Sequence, residues 1–176
     1  TRVEIEEVSE TLAGFVKAGK VKAVGFSEIA PSSLRRAHAV HPVAAVQSEY
    51  SLSTRGPELG MIQACKDIGA TFVAFSPVGR SLLTDRPHNR ATAESMDFLV
   101  NNPRFMEPNL SENLKFNAKF RSLAADLSIS AAGLAIAWVL HQGDHITAIP
   151  GTRHITHLKE LAQGADFAIT DEIAAR

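Results

Sequence analysis

The alternation of short apolar strands with helices most limits the folds that this chain can adopt. Buried strands are predicted at residues 21–26, 43–47, 71–75 and 146–149, because these runs are apolar or β-branched and are bounded by turn residues. Helices are predicted at residues 5–18, 31–40, 58–68, 111–127, 130–140 and 155–163. Strands joined by crossover helices form a parallel sheet with right-handed connections, so the predicted fold class is α/β.

Turn and cap residues mark the ends of these elements. Gly19 and Gly69 follow helical segments, where glycine commonly ends a helix. Pro31 opens a helix at a position that proline favours. Ser111 and Ser130 are predicted N-cap residues of the next two helices. These signals divide the chain into four strand–helix units.

Four such units are half of a (β/α)8 TIM barrel, whose usual length is about 250 residues. An open doubly wound sheet would instead place a glycine-rich phosphate turn after its first strand. This chain has Gly25-Phe26-Ser27-Glu28 there, and it contains no P-loop and no G-x-S-x-G pattern. We therefore favour half a barrel over an open sheet.

Charge and cysteine content exclude several functional classes. Lys+Arg 18 and Asp+Glu 19 give a net charge of -1, so no overall basic field attracts nucleic acid or an anionic membrane. The one cysteine, Cys65, cannot form an intramolecular disulfide, which is typical of a reducing compartment. The apolar run at residues 131–140 is shorter than the ~20 residues of a membrane span, and the acidic N-terminus is no signal peptide. We expect a cytoplasmic protein without nucleic-acid or membrane partners, and the missing initiator Met indicates a fragment or a processed chain.

The stretch from residue 76 to about residue 109 interrupts the alternation. It is rich in Pro, Asn, Arg and Ser, and it is too long for an ordinary connection between a strand and a helix. We therefore predict a functional loop after the third strand.

The order of five segments resembles the aldo-keto reductases, nicotinamide-dependent barrel enzymes that reduce carbonyl groups. The segments are residues 19–27 (GKVKAVGFS), 46–50 (VQSEY), 75–80 (FSPVGR), 135–140 (AIAWVL) and 149–160, which begins IPGTR and ends LKE. They are similar to the family's strands five to eight and their flanks. The resemblance implies that residues 1–176 are a single partial domain, the C-terminal half of the barrel, and that the cofactor is NADP(H).

The resemblance implies three contacts to the nicotinamide end of that cofactor. Ser27 and Gln47 match positions that bind the carboxamide, and a hydroxyl plus an amide suits a group that both donates and accepts hydrogen bonds. Phe75 matches an aromatic that stacks on the nicotinamide ring. The family commonly has Asn where this chain has Glu28.

The loop after the third strand is expected to hold the pyrophosphate. Ser76, Val78, Gly79 and Arg80 match the family's cofactor loop, in which backbone N–H groups and a guanidinium can cradle phosphate. Asp85 stands where the family often has Gly, and its carboxylate would repel phosphate if it pointed inward.

The segment after the fourth strand is the second predicted anion site. Gly151, Thr152 and Arg153 open a helix, where free N–H groups, the positive dipole end and a cation converge. The resemblance implies that Arg153 and His157 read the adenosine 2′-phosphate and that Glu160 contacts the adenine amine.

Other conspicuous residues are assigned to structure. Tyr50, the only tyrosine, is expected to be a packing or loop residue, and Trp138 to lie in the core. His141 and His145 have a spacing that could bind zinc on a helix, but Gly143 interrupts that helix, so we expect no metal site.

The resemblance also implies what the sequence lacks. The family's catalytic Tyr, Lys, Asp and His belong to the first half of the barrel, and none of their motifs occurs here. We therefore expect residues 1–176 alone to be inactive and to self-associate through exposed sheet edges. Three functions remain open: the cofactor-binding half of a reductase for small-molecule carbonyl substrates, a non-catalytic nucleotide-binding or assembly module, and a phosphate-binding barrel enzyme of another reaction class.

Overall fold

The four predicted strands form one parallel sheet, in the order in which they occur along the chain. A computed structural model describes residues 3–175. The strands are β1 (Val24–Ser27), β2 (Val43–Glu49), β3 (Thr71–Phe75) and β4 (Ile146–Ile149). The helices are α1 (Ile5–Lys17), α2 (Pro31–Val40), α3 (Met61–Ile68), α4 (Arg90–Glu94), α5 (Asp97–Val100), α6 (Asn109–Asp126), α7 (Ala131–His141), α8 (Ile155–Asp166) and α9 (Asp171–Ala175). The predicted α/β alternation is confirmed.

The strand boundaries agree with the sequence where apolar runs end at a turn residue. The bounds predicted for β3 and β4 are confirmed. The predicted start of β1 at residue 21 is wrong, because pairing with β2 begins only at Val24 and Val21 is exposed. Conversely, β2 runs two residues further than predicted, since Ser48 and Glu49 still pair with β3.

Helix starts show both a correct and a wrong cap assignment. Ser130 is the N-cap of α7, where its hydroxyl accepts from the Gly133 N–H at 3.1 Å. The predicted cap at Ser111 is wrong, because α6 already begins at Asn109. The predicted helix at 58–68 is divided: Gly56–Leu59 is a 3-10 helix, and Gly60 at φ 141° separates it from α3.

The stretch between β3 and α6, residues 76–108, has more structure than the predicted loop. It contains α4, α5 and two 3-10 helices, Gly79–Ser81 and Pro103–Phe105. Its apolar side chains form a small core of their own with the start of α6: Leu82, Ala93, Leu99, Phe105 and Leu110. We call residues 76–108 the β3–α6 segment.

The main core lies on one face of the sheet. Side chains such as Val46 and Phe72 are fully buried there, together with Trp138 of α7 at 4% exposure, as predicted. The alternate residues of the strands, such as Gln47 and Val73, remain half-buried. Within residues 3–175 the sheet therefore has one covered face and one open face.

Helix α7 is buried along most of its length and crosses α8 closely. Among the described residues, no single helix is long and apolar enough to cross a membrane. Helices α6 and α7 together pass such a test on length and composition, but they are bent by 91° at their junction.

Candidate functional site

Strand register brings Ser27 and Gln47 together on the open face. The two residues are paired across β1 and β2, and Gln47 is paired in turn with Val73 of β3. Both side chains line a depression of about 260 Å³ whose walls also include Gly25 and Ala45. Since parallel strands end on the same side of a sheet, the predicted carboxamide-binding pair lies toward the C-terminal edge of the sheet and lines that depression.

Phe75 lies on the same open face, one strand further along. It is half-buried and paired with Glu49 on one side and Ile149 on the other. Phe72, three residues earlier, points to the covered face. The aromatic ring predicted to stack on the nicotinamide thus lies on the strand next to that of Gln47, two residues after the partner of Gln47.

Glu28 connects the ends of β1 and β2. Its N–H donates to the Gln47 carbonyl at 3.0 Å, and its carboxylate accepts from the Glu49 N–H at 2.9 Å. Its φ of 50° is left-handed, a conformation that Asn adopts more readily than Glu. Glu28, which stands where the family commonly has Asn, therefore adopts a left-handed conformation and fixes the turn with its own carboxylate.

Strained backbone is concentrated after the strands. The described residues other than glycine with a positive φ are Glu28, Ser76, Arg80, Ser81 and Ser128, and all except the last follow β1 or β3. Each such residue costs about 1–3 kcal/mol, which contacts with the surrounding structure must offset. Such strain is typical of loops that bind ligands.

An ion cluster that the sequence did not predict lies at the end of β2. The Glu49 carboxylate accepts from Arg80 Nη2 at 3.0 Å and pairs with Arg104 Nη2 at 2.7 Å, and Arg104 Nη1 donates to Thr54 Oγ1 at 2.9 Å. Burial alone would raise the pKa of Glu49, but hydrogen bonds and charge from the two arginines outweigh it and lower that pKa. Arg80, predicted to hold phosphate, is thus already held by a carboxylate on one edge.

Two further contacts attach the β3–α6 segment to neighbouring helices. The Asp85 carboxylate accepts from the Ala131 N–H at 3.1 Å, at the positive end of α7. Arg86 donates to both oxygens of Glu160 on α8, at 2.5 and 2.8 Å. The predicted adenine contact Glu160 therefore has a protein partner, and Asp85 is bound to a helix N-terminus.

The predicted second anion site is an exposed turn. Gly151, Thr152 and Arg153 are all exposed, and α8 begins two residues after Arg153. Thr152 Oγ1 accepts from the His154 N–H at 3.2 Å and thereby fixes the turn. The half-buried His157 lies in the first turn of α8, its ring 4.9 Å from that of His154. The structure brings these predicted residues together beside the helix start.

Tyr50 is a packing residue, as predicted. Its ring is fully buried, 5.7 Å from Phe72 and 5.5 Å from Trp138, and its hydroxyl donates to Glu58 at 2.9 Å. Arg55 also binds Glu58, at 2.7 and 2.8 Å, and lies over the Trp138 ring. Burial, followed by the bond to Glu58, raises the pKa of Tyr50. This phenol is unsuited to proton transfer near neutral pH.

We expect Tyr50→Phe to lower the free energy of unfolding of the protein by about 1.5–3 kcal/mol, since it removes one hydrogen bond to a charged group. Urea unfolding midpoints measure this loss. Thr11→Val, which removes an exposed hydroxyl bonded to the Glu7 carbonyl, is the control and should change stability by less than about 0.5 kcal/mol. Equal midpoints for Tyr50→Phe and the unaltered protein would contradict the structural role.

His141 and His145 have separate partners. His141 Nε2 lies 2.9 Å from an Asp171 carboxylate oxygen, and His145 Nε2 lies 3.1 Å from the Ile62 carbonyl. Between residues 3 and 175 no group of three His, Cys, Asp or Glu side chains is placed to hold a metal ion. That this protein uses no metal stays a prediction.

Comparisons with known proteins give matches to one family. The model of the Aldo/keto reductase family matches residues 1–176. Aldo-keto reductase str7 of Strobilurus tenacellus is 36% identical over 177 residues, which are 99% of this chain and 53% of that protein. Aldo-keto reductase yakc of Schizosaccharomyces pombe, whose name includes NADP(+), is 38% identical over 89% of this chain and 47% of its own. This chain spans about half the length of these relatives.

Solved structures give the same coverage. Glycerol dehydrogenase AKR11B4 from Gluconobacter oxydans superposes with a TM-score of 0.84 at 26% identity, over 99% of this chain and 53% of its own. The thermostable aldo-keto reductase Tm1743 gives a TM-score of 0.75 at 21% identity, over 99% of this chain and 54% of its own, and supports the fold alone. The predicted half barrel and the predicted family are confirmed.

Proposed function

The chain belongs to the aldo/keto reductase family, and from this premise we propose that it supplies the cofactor-binding half of an NADP(H)-dependent oxidoreductase that reduces aldehyde or ketone groups. The observation that carries the proposal is the placement of Ser27, Gln47 and Phe75. A hydroxyl, an amide and an aromatic ring lie at neighbouring positions on the open face, at the C-terminal ends of parallel strands. Enzymes with barrel folds build their active sites at these ends.

The residues present fit a nicotinamide cofactor. When bound, that cofactor supplies the hydride for carbonyl reduction. Ser27 and Gln47 bind the carboxamide, and Phe75 packs on one face of the ring, which orients the other face toward the substrate. A displacement of about 1 Å can lower the rate roughly 100-fold, so this orientation is the chain's main contribution to the chemistry.

Cations at two places suit the charged part of the cofactor. Arg80 has one edge bound to Glu49, and its side chain is still 26% exposed, which leaves donors for a phosphate. Arg153 is exposed in the turn just before α8 and can pair with a 2′-phosphate through charge-assisted hydrogen bonds. His157 and Glu160 follow on the same helix, where the adenine end would lie.

We expect Arg153→Ala to weaken NADPH binding to the complete protein by roughly 10- to 150-fold, because one charge-assisted pair is lost. NADH binding should change by less than about threefold, since NADH has no 2′-phosphate for the arginine to bind. Dissociation constants for both cofactors, measured by fluorescence titration, test this. Lys159→Ala, which removes an exposed cation from the nearby helix α8, is the matched control.

An equal loss of NADPH and NADH affinity in Arg153→Ala would refute the 2′-phosphate role. A complete protein that binds neither cofactor would refute the proposed function.

A second candidate function is a non-catalytic nucleotide-binding or assembly module. It is favoured by one observation: among the described strands, β1 and β4 each have a neighbour on one side only. Such edges readily pair with another sheet. NADPH binding by the complete protein without oxidation by any aldehyde or ketone would favour this module over the reductase.

The setting of the proposed reaction rests on composition. A single, buried cysteine whose pKa burial raises to about 11 is typical of an inert thiol in a reducing compartment. We therefore propose a cytoplasmic enzyme whose partner is a small-molecule carbonyl compound.

A further inference from the structure

Glu49 lies at the C-terminal end of β2, beside the predicted cofactor contacts but not among them. Its side chain is only 15% exposed, and two arginines from distant parts of the chain converge on it. Arg80 comes from the start of the β3–α6 segment, and Arg104 comes from the end of the same segment. One carboxylate therefore holds both ends of this segment against β2.

The surroundings of the carboxylate show that this is a built arrangement. Thr54 Oγ1 donates to Glu49 Oε1, the oxygen that also pairs with Arg104, at 3.3 Å. Thr54 Oγ1 in turn accepts from Arg104 Nη1 at 2.9 Å. The backbone N–H of Glu49 donates to Glu28, so the end of β1 is tied to the same residue. The side chains of Arg80 and Arg104 are each 26% exposed, which makes these ion pairs less screened than those on the open surface.

The conformation of Arg80 needs support from outside its own loop. Its φ of 55° is left-handed and its Nε is buried without a hydrogen-bond partner. Among the described residues, Glu49 is the one hydrogen-bond partner of the Arg80 side chain. Without it, no side-chain hydrogen bond in the described structure would help to hold Arg80 in this left-handed conformation.

We propose that Glu49 is a positioning residue that holds the β3–α6 segment at the strand ends and, through Arg80, fixes the loop that receives the cofactor's phosphate groups. The cofactor part of this inference rests on the proposed function. In this role Glu49 would act through Arg80 and not by contact with the cofactor, because both arginines already bind its carboxylate.

The sign of the change in NADPH affinity distinguishes a positioning role of Glu49 from a purely electrostatic one. Glu49 brings a negative charge close to a predicted phosphate site. If it acted only through that charge, its neutralisation would strengthen NADPH binding. Positioning predicts the opposite sign, because Arg80 and the loop lose their fixed geometry.

The experiment uses the complete protein and compares Glu49→Gln, Arg104→Met and the double variant. Hydrogen exchange of residues 79–105 without cofactor is expected to become at least about tenfold faster in each variant, because local opening is easier. Glu49→Gln should raise the dissociation constant for NADPH about tenfold, the size expected for one lost charge-assisted hydrogen bond. The kcat at saturating NADPH should stay within about twofold, because the nicotinamide contacts are untouched.

The double variant and a matched control complete the design. Because both substitutions break the same cluster, the double variant should be no weaker in NADPH binding than Glu49→Gln alone. Glu94→Gln makes the same chemical change in an exposed pair with Arg90 on the same segment. It should alter neither the hydrogen exchange of residues 79–105 nor the dissociation constant for NADPH. Arg104→Met keeps the bond between Glu49 and Arg80, so it preserves the test if Glu49→Gln does not fold.

Three results would overturn the proposal: tighter NADPH binding by Glu49→Gln, unchanged hydrogen exchange, or additive losses in the double variant. An unaltered protein that binds no NADPH would instead refute the proposed function. Hydrogen exchange would still decide whether Glu49 holds the segment.

Discussion

Gly164→Ala is expected to destabilise the complete protein by about 3 kcal/mol or more, because the new methyl group has no space. A Cβ at this position of α8 would collide with the Gly133 carbonyl oxygen and would lie 2.7 Å from Ile136 Cβ and 2.9 Å from the Ala137 nitrogen. Two of these atoms are backbone atoms of the buried helix α7. They cannot rotate away as a side chain would, so the helices must separate.

Gly14→Ala is the matched control for this substitution. Gly14 lies inside α1, and a Cβ there would meet nothing within 4 Å. Because alanine has the higher helix propensity, Gly14→Ala should stabilise the protein by up to about 1 kcal/mol. Urea unfolding midpoints should therefore shift in opposite directions, and a shift of equal sign and size would show that the helix crossing tolerates a methyl group.

The contact between α7 and α8 is a part of the fold that the sequence does not predict. The bounds of β3 and β4 were predictable, because β-branched and aromatic runs end there at turn residues. The helix predicted to end at residue 163 continues to Asp166, through Gly164. Packing against α7 outweighs the low helix propensity of glycine here, and nothing local in the sequence signals that contact.

The candidate site divides in the same way. Ser27 and Gln47 could be placed together from sequence, since both end neighbouring parallel strands. The pairing of Glu49 with Arg104 and of Arg86 with Glu160 could not, because each joins a strand or helix to the β3–α6 segment. The path of that segment depends on left-handed residues such as Arg80, which sequence patterns do not identify.

Residues 1–176 prepared alone are expected to show no measurable carbonyl reductase activity. Carbonyl reduction needs a proton donor beside the transferred hydride, and a positioned general acid contributes about 10²- to 10⁴-fold in rate. The sequence has one tyrosine, Tyr50. Its side chain is fully buried on the covered face and its hydroxyl is bound to Glu58, away from Ser27 and Gln47 on the open face.

The same preparation is expected to self-associate through its sheet. Within the described structure β1 and β4 each leave one edge unpaired, and the face that contains Phe75 and the half-exposed Ile149 is open. Pairing with a second copy would satisfy both edges, so a symmetric dimer is the expected species. Its mass in solution and its oxidation of NADPH with a reactive aldehyde are the measurements. A monomer that reduces the aldehyde, and that loses this activity in Tyr50→Phe, would contradict both the structural role of Tyr50 and the need for a proton donor from elsewhere.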